Sequence, residues 1–346
     1  MHHQTDFSQL LCVLQKKVPE RPVLFEFFLN DKLYDYIAGD AVKEVGDGHD
    51  WLRRRAKAYQ RVGYDYFTAA GNRFNLKAGE HVSGRTYSIN EGGIIKDRQS
   101  FDAYEWVNPE DFGAKELEVA AAAIAEGAKL VVHGPGGLLE NTIRLVGYED
   151  LCYMALDDPD LVEAITTHIG ERLVRYYAMF VDHPAVGAII ANDDWGFNQQ
   201  TMLPPDQMRR WVFPWHKRIV DLAHVHGKPV ILHSCGNAEK ILDDIITGIG
   251  FDAKHSFEDK IQPIEEAYEE CVGRIALLGG IDLDFVCRAE PDAIHRRAKA
   301  MIERTEGRGG WALGTGNSVP DYVPWDNYFA LVTAATDFTR EQILSR

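Results

Sequence analysis

Val230-Ile231-Leu232-His233-Ser234-Cys235-Gly236-Asn237 is a short apolar run that ends in polar side chains and is then broken by a glycine. A helical pattern, Pro205–His226, precedes it and closes on Gly227. The same unit recurs in both directions along the chain. Apolar, β-rich runs lie at Val23–Phe28, Tyr64–Ala69, Leu130–His133, Val186–Asn192, Val230–His233, Asp252–Ser256, Ile275–Gly279 and Trp311–Gly314. Helical stretches separate them, among them Lys115–Gly127, Pro159–Phe180 and Pro291–Glu306, several opening on Pro or an acidic residue and closing on Gly. Strand and helix in alternation imply a parallel sheet, and eight such runs make an α/β fold of (β/α)8 TIM-barrel type the expectation. A doubly wound open sheet is the rival, but no GxGxxG follows the first strand.

Two regions break the rhythm. Residues 29–63 carry a charged helical segment, Trp51–Arg61, in which Arg53-Arg54-Arg55 reads as a solvated face. Residues 71–112 read as a β-hairpin excursion, with arms at Arg85–Asn90 and Ile94–Phe101 around Glu91-Gly92-Gly93. Both follow strands one and two, so both are expected as long loops over the barrel mouth. No linker or internal repeat divides the chain, and residues 1–346 are expected to form one domain, with residues 1–20 as a helical extension.

The net charge of −16, with no basic run to offset it, argues against nucleic acid as a partner. No stretch approaches the ~18 apolar residues of a membrane span, and the first residues lack the form of a signal peptide. Cys12, Cys152, Cys235, Cys271 and Cys287 are scattered and odd in number, which suits a reducing compartment. A soluble, cytoplasmic protein is expected.

Barrel enzymes collect their chemistry at the C-terminal ends of strands. Here those ends offer Glu26 and Asn30, Thr68, His133, Asn192-Asp193-Asp194-Trp195, His233 and Cys235, His255 and Glu258, Asp282, and Thr315 and Asn317. Residues two apart on a strand share a face, so His233 and Cys235 can direct an imidazole and a thiolate at one point. Those are ligand types that zinc prefers, although a buried Cys and a hydrogen-bonded His are the plainer reading of the pair. Glu258, after the neighbouring strand, would complete a His/Cys/Glu set; Asp193 or Asp194, from the strand on the other side, is the rival donor. Three ligands leave one coordination position open for substrate. Gly314-Thr315-Gly316-Asn317 could cradle an anion, and Trp195 and Phe197 could wall a pocket.

From about residue 110 onward the chain resembles the uroporphyrinogen decarboxylase-like superfamily. The resemblance rests on an ordered series of blocks: His133-Gly134-Pro135-Gly136-Gly137, Ala191-Asn192-Asp193-Asp194-Trp195-Gly196, Leu232–Asn237, Leu278-Gly279-Gly280-Ile281-Asp282 and Gly314-Thr315-Gly316-Asn317-Ser318-Val319-Pro320. It implies a (β/α)8 barrel. True uroporphyrinogen decarboxylases carry an Arg-rich loop just after the first strand; that strand here reads Pro22–Phe28 with Glu26 in it, which speaks against porphyrinogen decarboxylation. The chain is more similar to the cobamide-dependent methyltransferases, in which a His-x-Cys pair holds zinc, and His233 and Cys235 match that pair. Related cobalamin-independent methionine synthases add a Glu from the next strand, close to the place of Glu258. The methyltransferases usually supply a further Cys after strand eight, where this chain has Gly314-Thr315-Gly316-Asn317.

The resulting expectation is a zinc-dependent methyltransferase that demethylates a small methoxylated or N-methylated compound. The methyl group would pass to a corrinoid (cobalamin) carried by a partner protein. Zinc would be held by His233, Cys235 and Glu258; Asp193 or Asp194 would orient a ligand, replace one or handle protons. His133, Trp195, Phe197, Thr315 and Asn317 would line the substrate site. A metal-free decarboxylase or lyase, with Asp193 or Asp194 and His255 doing acid–base work, is the alternative, followed by a non-catalytic binding protein. Related barrels often pair, so a homodimer is one expected assembly.

Overall fold

The computed structural model describes residues 4–79, 89–90, 93–336 and 339–346. Among these, seven strands form one all-parallel sheet in chain order: β1 (Tyr66–Ala70), β2 (Lys129–His133), β3 (Val186–Asn192), β4 (Val230–His233), β5 (Ala253–His255), β6 (Ala276–Leu278) and β7 (Trp311–Ala312). Helices, the longest of them Pro159–Phe180, follow the strands in a curled, TIM-barrel-like α/β arrangement. Strands covered on both faces need apolar side chains in both directions, which is why β2 to β4 read as unbroken apolar runs.

The first expected strand, Val23–Phe28, does not form a ladder. Leu24 makes an isolated parallel bridge to Leu313, with Phe25 N–H donating to Leu313 O (2.7 Å) and Leu313 N–H to Val23 O (2.8 Å). Toward β1 the contacts run through side chains instead. Tyr66 Oη–H donates to Glu26 O (2.8 Å) and Thr68 Oγ1–H to Phe27 O (2.6 Å), so hydroxyls take the carbonyls that a ladder would use.

The excursion after β1 also differs from expectation. The arm Arg85–Asn90 and its turn fall almost wholly outside the described residues. The Ile94–Phe101 arm is not a strand: Ile94 and Ile95 N–H both donate to Leu145 O, and Arg98–Ala103 is helical. Asp97 and Ser100 form a reciprocal cap there, which starts a helix where the apolar pattern suggested extension. In residues 29–63, Asn30 caps the helix Asp31–Ala38, and Asp50–Val62 forms a second. Near the N-terminus, the helix Phe7–Leu14 buries Leu10, Val13 and Leu14 and lays its Phe7 ring over Gly187, where a Cβ would come within 2.4 Å of the ring. Among the described residues no helix is long and apolar enough to cross a membrane.

Register levels the strand ends that matter most. Asn192 pairs with His233, and His233 with His255, so β3, β4 and β5 end at the same height.

Candidate metal centre

Strand alternation continues just past β3 and β4 and decides which side chains meet. Asn192 and Asp194 take one face and Asp193 the other, while His233 and Cys235 share a face. The ligand atoms of Asp194, His233 and Cys235 all lie within 4.8 Å of one another, and Cys235 Sγ stands 3.9 Å from His233 Nε2. Donors at ~2.0–2.3 Å from a tetrahedral zinc ion are themselves separated by roughly 3.5 Å, so the Cys235–His233 pair stands near that spacing and the cluster would tighten around an ion. Carboxylate, imidazole and thiolate are all zinc ligands, and three of them leave one position open.

Each member of the cluster is held in place by a neighbour. Cys235 N–H donates to Asp194 Oδ1 (2.8 Å), which couples the loops after β3 and β4. His233 Nδ1 lies 2.7 Å from Nδ1 of His255. His255 is fully buried, and its Nε2 makes no hydrogen bond among the described residues. With the His255 proton on Nε2, its Nδ1 accepts and His233 Nδ1–H donates. His233 Nε2 then keeps its lone pair on the side of Cys235, which is the tautomer a metal requires. Burial holds both imidazoles neutral, lowering His233 to about 4 and His255 well below its ordinary value. Burial, followed by the Asp194 charge, pushes the Cys235 thiol up to about 12; a bound dication would counter both.

The other expected site residues are distributed unequally. Glu258 does not join the cluster; the carboxylate brought to His233 and Cys235 is that of Asp194. The backbone turns at Ser256 (φ 83°), and Glu258 lines a separate cavity of about 290 Å³ with Glu239, Lys254 and Glu266. Asp193 is 0% exposed and accepts from Leu139 N–H (3.0 Å), Glu140 N–H (2.9 Å) and Trp195 Nε1–H (2.9 Å), with His216 Nε2 at 2.9 Å. It pins the helix Leu138–Val146 to the end of β3 and has no free face for a substrate. Trp195, expected in a pocket wall, is likewise fully buried beside Phe213 and His216. Thr315 is buried and tied to Glu26. Phe197 is exposed and packs edge-on against Tyr148. His133 is half-buried against Phe27, whose ring also lies 4.8 Å from that of His233. Asn317 is half-buried with its Nδ2 3.3 Å from Cys235 Sγ.

Two further carboxyls belong to this neighbourhood. Glu140 accepts from Gly137 N–H (2.8 Å), and burial beside Asp193 and Asp194 pushes it up to about 8. Its signal in the sequence is the capping spacing Gly137-x-x-Glu140 directly after the His133–Gly137 loop. Glu26, wholly buried, is also pushed up to about 8 by burial.

In sequence, no curated protein matches the chain. In fold it is similar to a methyltransferase from Methanosarcina mazei, with a TM-score of 0.68 at 18% identity over 96% of this chain and 98% of that one. A xylanase from Thermoanaerobacterium saccharolyticum (TM-score 0.39, 12% identity, 93% and 90% covered) and a GH27 β-L-arabinopyranosidase from Geobacillus stearothermophilus (0.41, 11%, 94% and 76%) are more distant. The family model of uroporphyrinogen decarboxylase (URO-D) matches residues 116–338, well over half of the sequence and the part that carries β2 to β7 with Asp194, His233 and Cys235. The chain therefore belongs to the uroporphyrinogen decarboxylase family.

Proposed function

We propose that this protein is a zinc-dependent methyltransferase that takes a methyl group from a small methoxylated or N-methylated compound and passes it to a corrinoid carried by a separate protein. The observation that carries the reading is the convergence of Asp194, His233 and Cys235 within 4.8 Å. The likeness in fold to the Methanosarcina methyltransferase supports it. Zinc held by the three residues would supply a Lewis acid toward a substrate oxygen or nitrogen. A carboxylate in place of a second thiolate keeps the ligand charge and hardens the donor set, which favours such a substrate over a thiol. His255 fixes the His233 tautomer, and the Phe27 ring, between His133 and His233, gives the methyl group an apolar wall. The metal-free decarboxylase reading needs Asp193 or Asp194, with His255, to meet a substrate; Asp193 and His255 are 0% exposed, and Asp194, which is half-buried, stands with His233 and Cys235.

Elemental analysis of the purified protein, beside His233→Ala and Cys235→Ala variants, tests the centre. Near-stoichiometric zinc in the wild type and none in the variants is expected, followed by corrinoid-dependent demethylation that the variants lack. Wild-type activity in His233→Ala would end the reading.

A further inference from the structure

Cys235 Sγ has two polar neighbours besides the other two members of the cluster. Ser256 Oγ–H donates to it at 3.3 Å, and Asn317 Nδ2–H donates at 3.3 Å. Neither contact is a loose surface encounter. The Asn317 amide is oriented by its other end, because Oδ1 accepts from Ser318 N–H (2.8 Å) and the NH2 group is left facing the sulfur. Ser256 is buried and sits at φ 83°, a left-handed conformation that a side chain other than glycine's rarely adopts.

The surroundings keep Ser256 in that strained state. Lys254 Nζ donates to Ser256 O (2.6 Å) while lying over the Phe257 ring at 4.2 Å. Phe257 N–H donates to Gly316 O (2.8 Å), and a Cβ on Gly316 would fall 2.2 Å from Phe257 O. The loops after β5 and β7 are thus clamped together, one delivering Ser256 and the other Asn317 to the same atom. Strain held this firmly beside a polar cluster points to a purpose beyond packing.

We propose that Ser256 and Asn317 form a cradle that donates two hydrogen bonds to the Cys235 thiolate while it binds the metal. The proposal rests on the metal reading given above. Hydrogen bonds to sulfur draw electron density from it, so the thiolate donates less to the metal and the metal remains a stronger Lewis acid. Both are positioning residues: they touch the ligand and not the substrate. Lys254 supports them by fixing the backbone of Ser256.

Cobalt(II) in place of zinc makes the sulfur visible through its thiolate-to-cobalt charge-transfer band. The band is expected in the wild type. It should move to lower energy in Asn317→Leu and in Ser256→Gly, and further in the double variant, since sulfur freed of hydrogen bonds gives up an electron more easily. Ser256→Gly accepts the left-handed backbone at no steric cost, so it decides the matter even if Asn317→Leu folds poorly. A band of unchanged energy in both variants, with cobalt still bound, overturns the cradle and leaves the metal centre standing. Cobalt that binds the wild type with no thiolate band, or not at all, overturns the centre and the cradle with it.

Discussion

Asp193 and Asp194 are adjacent in the chain and opposite in environment, and exchanging each for its amide separates their tasks. Asp193→Asn puts an NH2 group among donors that need an acceptor: two backbone N–H groups, the Trp195 indole and His216. Buried contacts of this kind cost about 2–4 kcal/mol when one side is mismatched, so denaturant unfolding should register a loss of that size. Asp194→Asn should leave stability close to wild type and weaken zinc binding by at least the ~10–100-fold that losing even an outer partner costs. Equal effects on both properties in the two variants would contradict this division. The distinction was legible in principle, since strand alternation with register separates neighbouring residues by face. His233 and Cys235 were readable for the same reason. Glu258 was not, because the alternation stops at Ser256, whose positive φ turns the chain away and which no local signal marks.

Apolar runs mark the elements faithfully where burial alone sets the conformation. Val186–Asn192 and Val230–His233 lie within one sheet, covered on both faces, and their bounds coincide with the apolar runs. Val23–Phe28 is apolar for the same reason, yet its partners on that side are the hydroxyls of Tyr66 and Thr68 in β1 and of Tyr59 in the helix Asp50–Val62, which no periodicity announces. Glu26 lies in this segment, with Thr315 N–H donating to Oε1 (2.6 Å) and Thr315 Oγ1 2.8 Å from Oε2. Thr315 Oγ1 also lies 3.1 Å from Asn317 O. One hydroxyl proton cannot serve both, so the network is complete when Glu26 is neutral: Oε2–H donates to Thr315 and Thr315 donates to Asn317. Burial raises Glu26 to about 8 from an ordinary 4.5. Between those values the folded chain keeps a proton that the unfolded chain has released. Its contribution to stability is therefore full below about pH 4.5 and is lost as pH rises through about 8. Glu26→Gln mimics the neutral form at every pH. Thermal unfolding from about pH 5 to pH 9 should lose several degrees in the wild type relative to Glu26→Gln, and parallel curves would sink the assignment.

Across the whole molecule, the candidate centre draws its residues from the end of β4 and the loops after β3 and β4, and its supports from β5 and the loop after β7. These elements are far apart in sequence, with Asp194 and Asn317 more than a hundred residues from each other. The overall charge of −16 adds no obstacle to a dication, and the Asp194 carboxylate beside His233 and Cys235 favours one. A metal that binds only when these loops are assembled must stabilise the fold by the free energy of its binding. At a free zinc concentration a hundredfold above Kd that amounts to about 2.7 kcal/mol, reduced by whatever binding the unfolded Cys and His residues retain. Zinc should therefore raise the unfolding temperature of the wild type, and a chelator should lower it again. Cys235→Ser and Asp194→Asn should lose most of that response, while Glu258→Gln should keep it, because Glu258 faces a different cavity. A response that vanished in Glu258→Gln and survived in Asp194→Asn would transfer the third ligand to the neighbouring strand and require the loop after β5 to rearrange on binding.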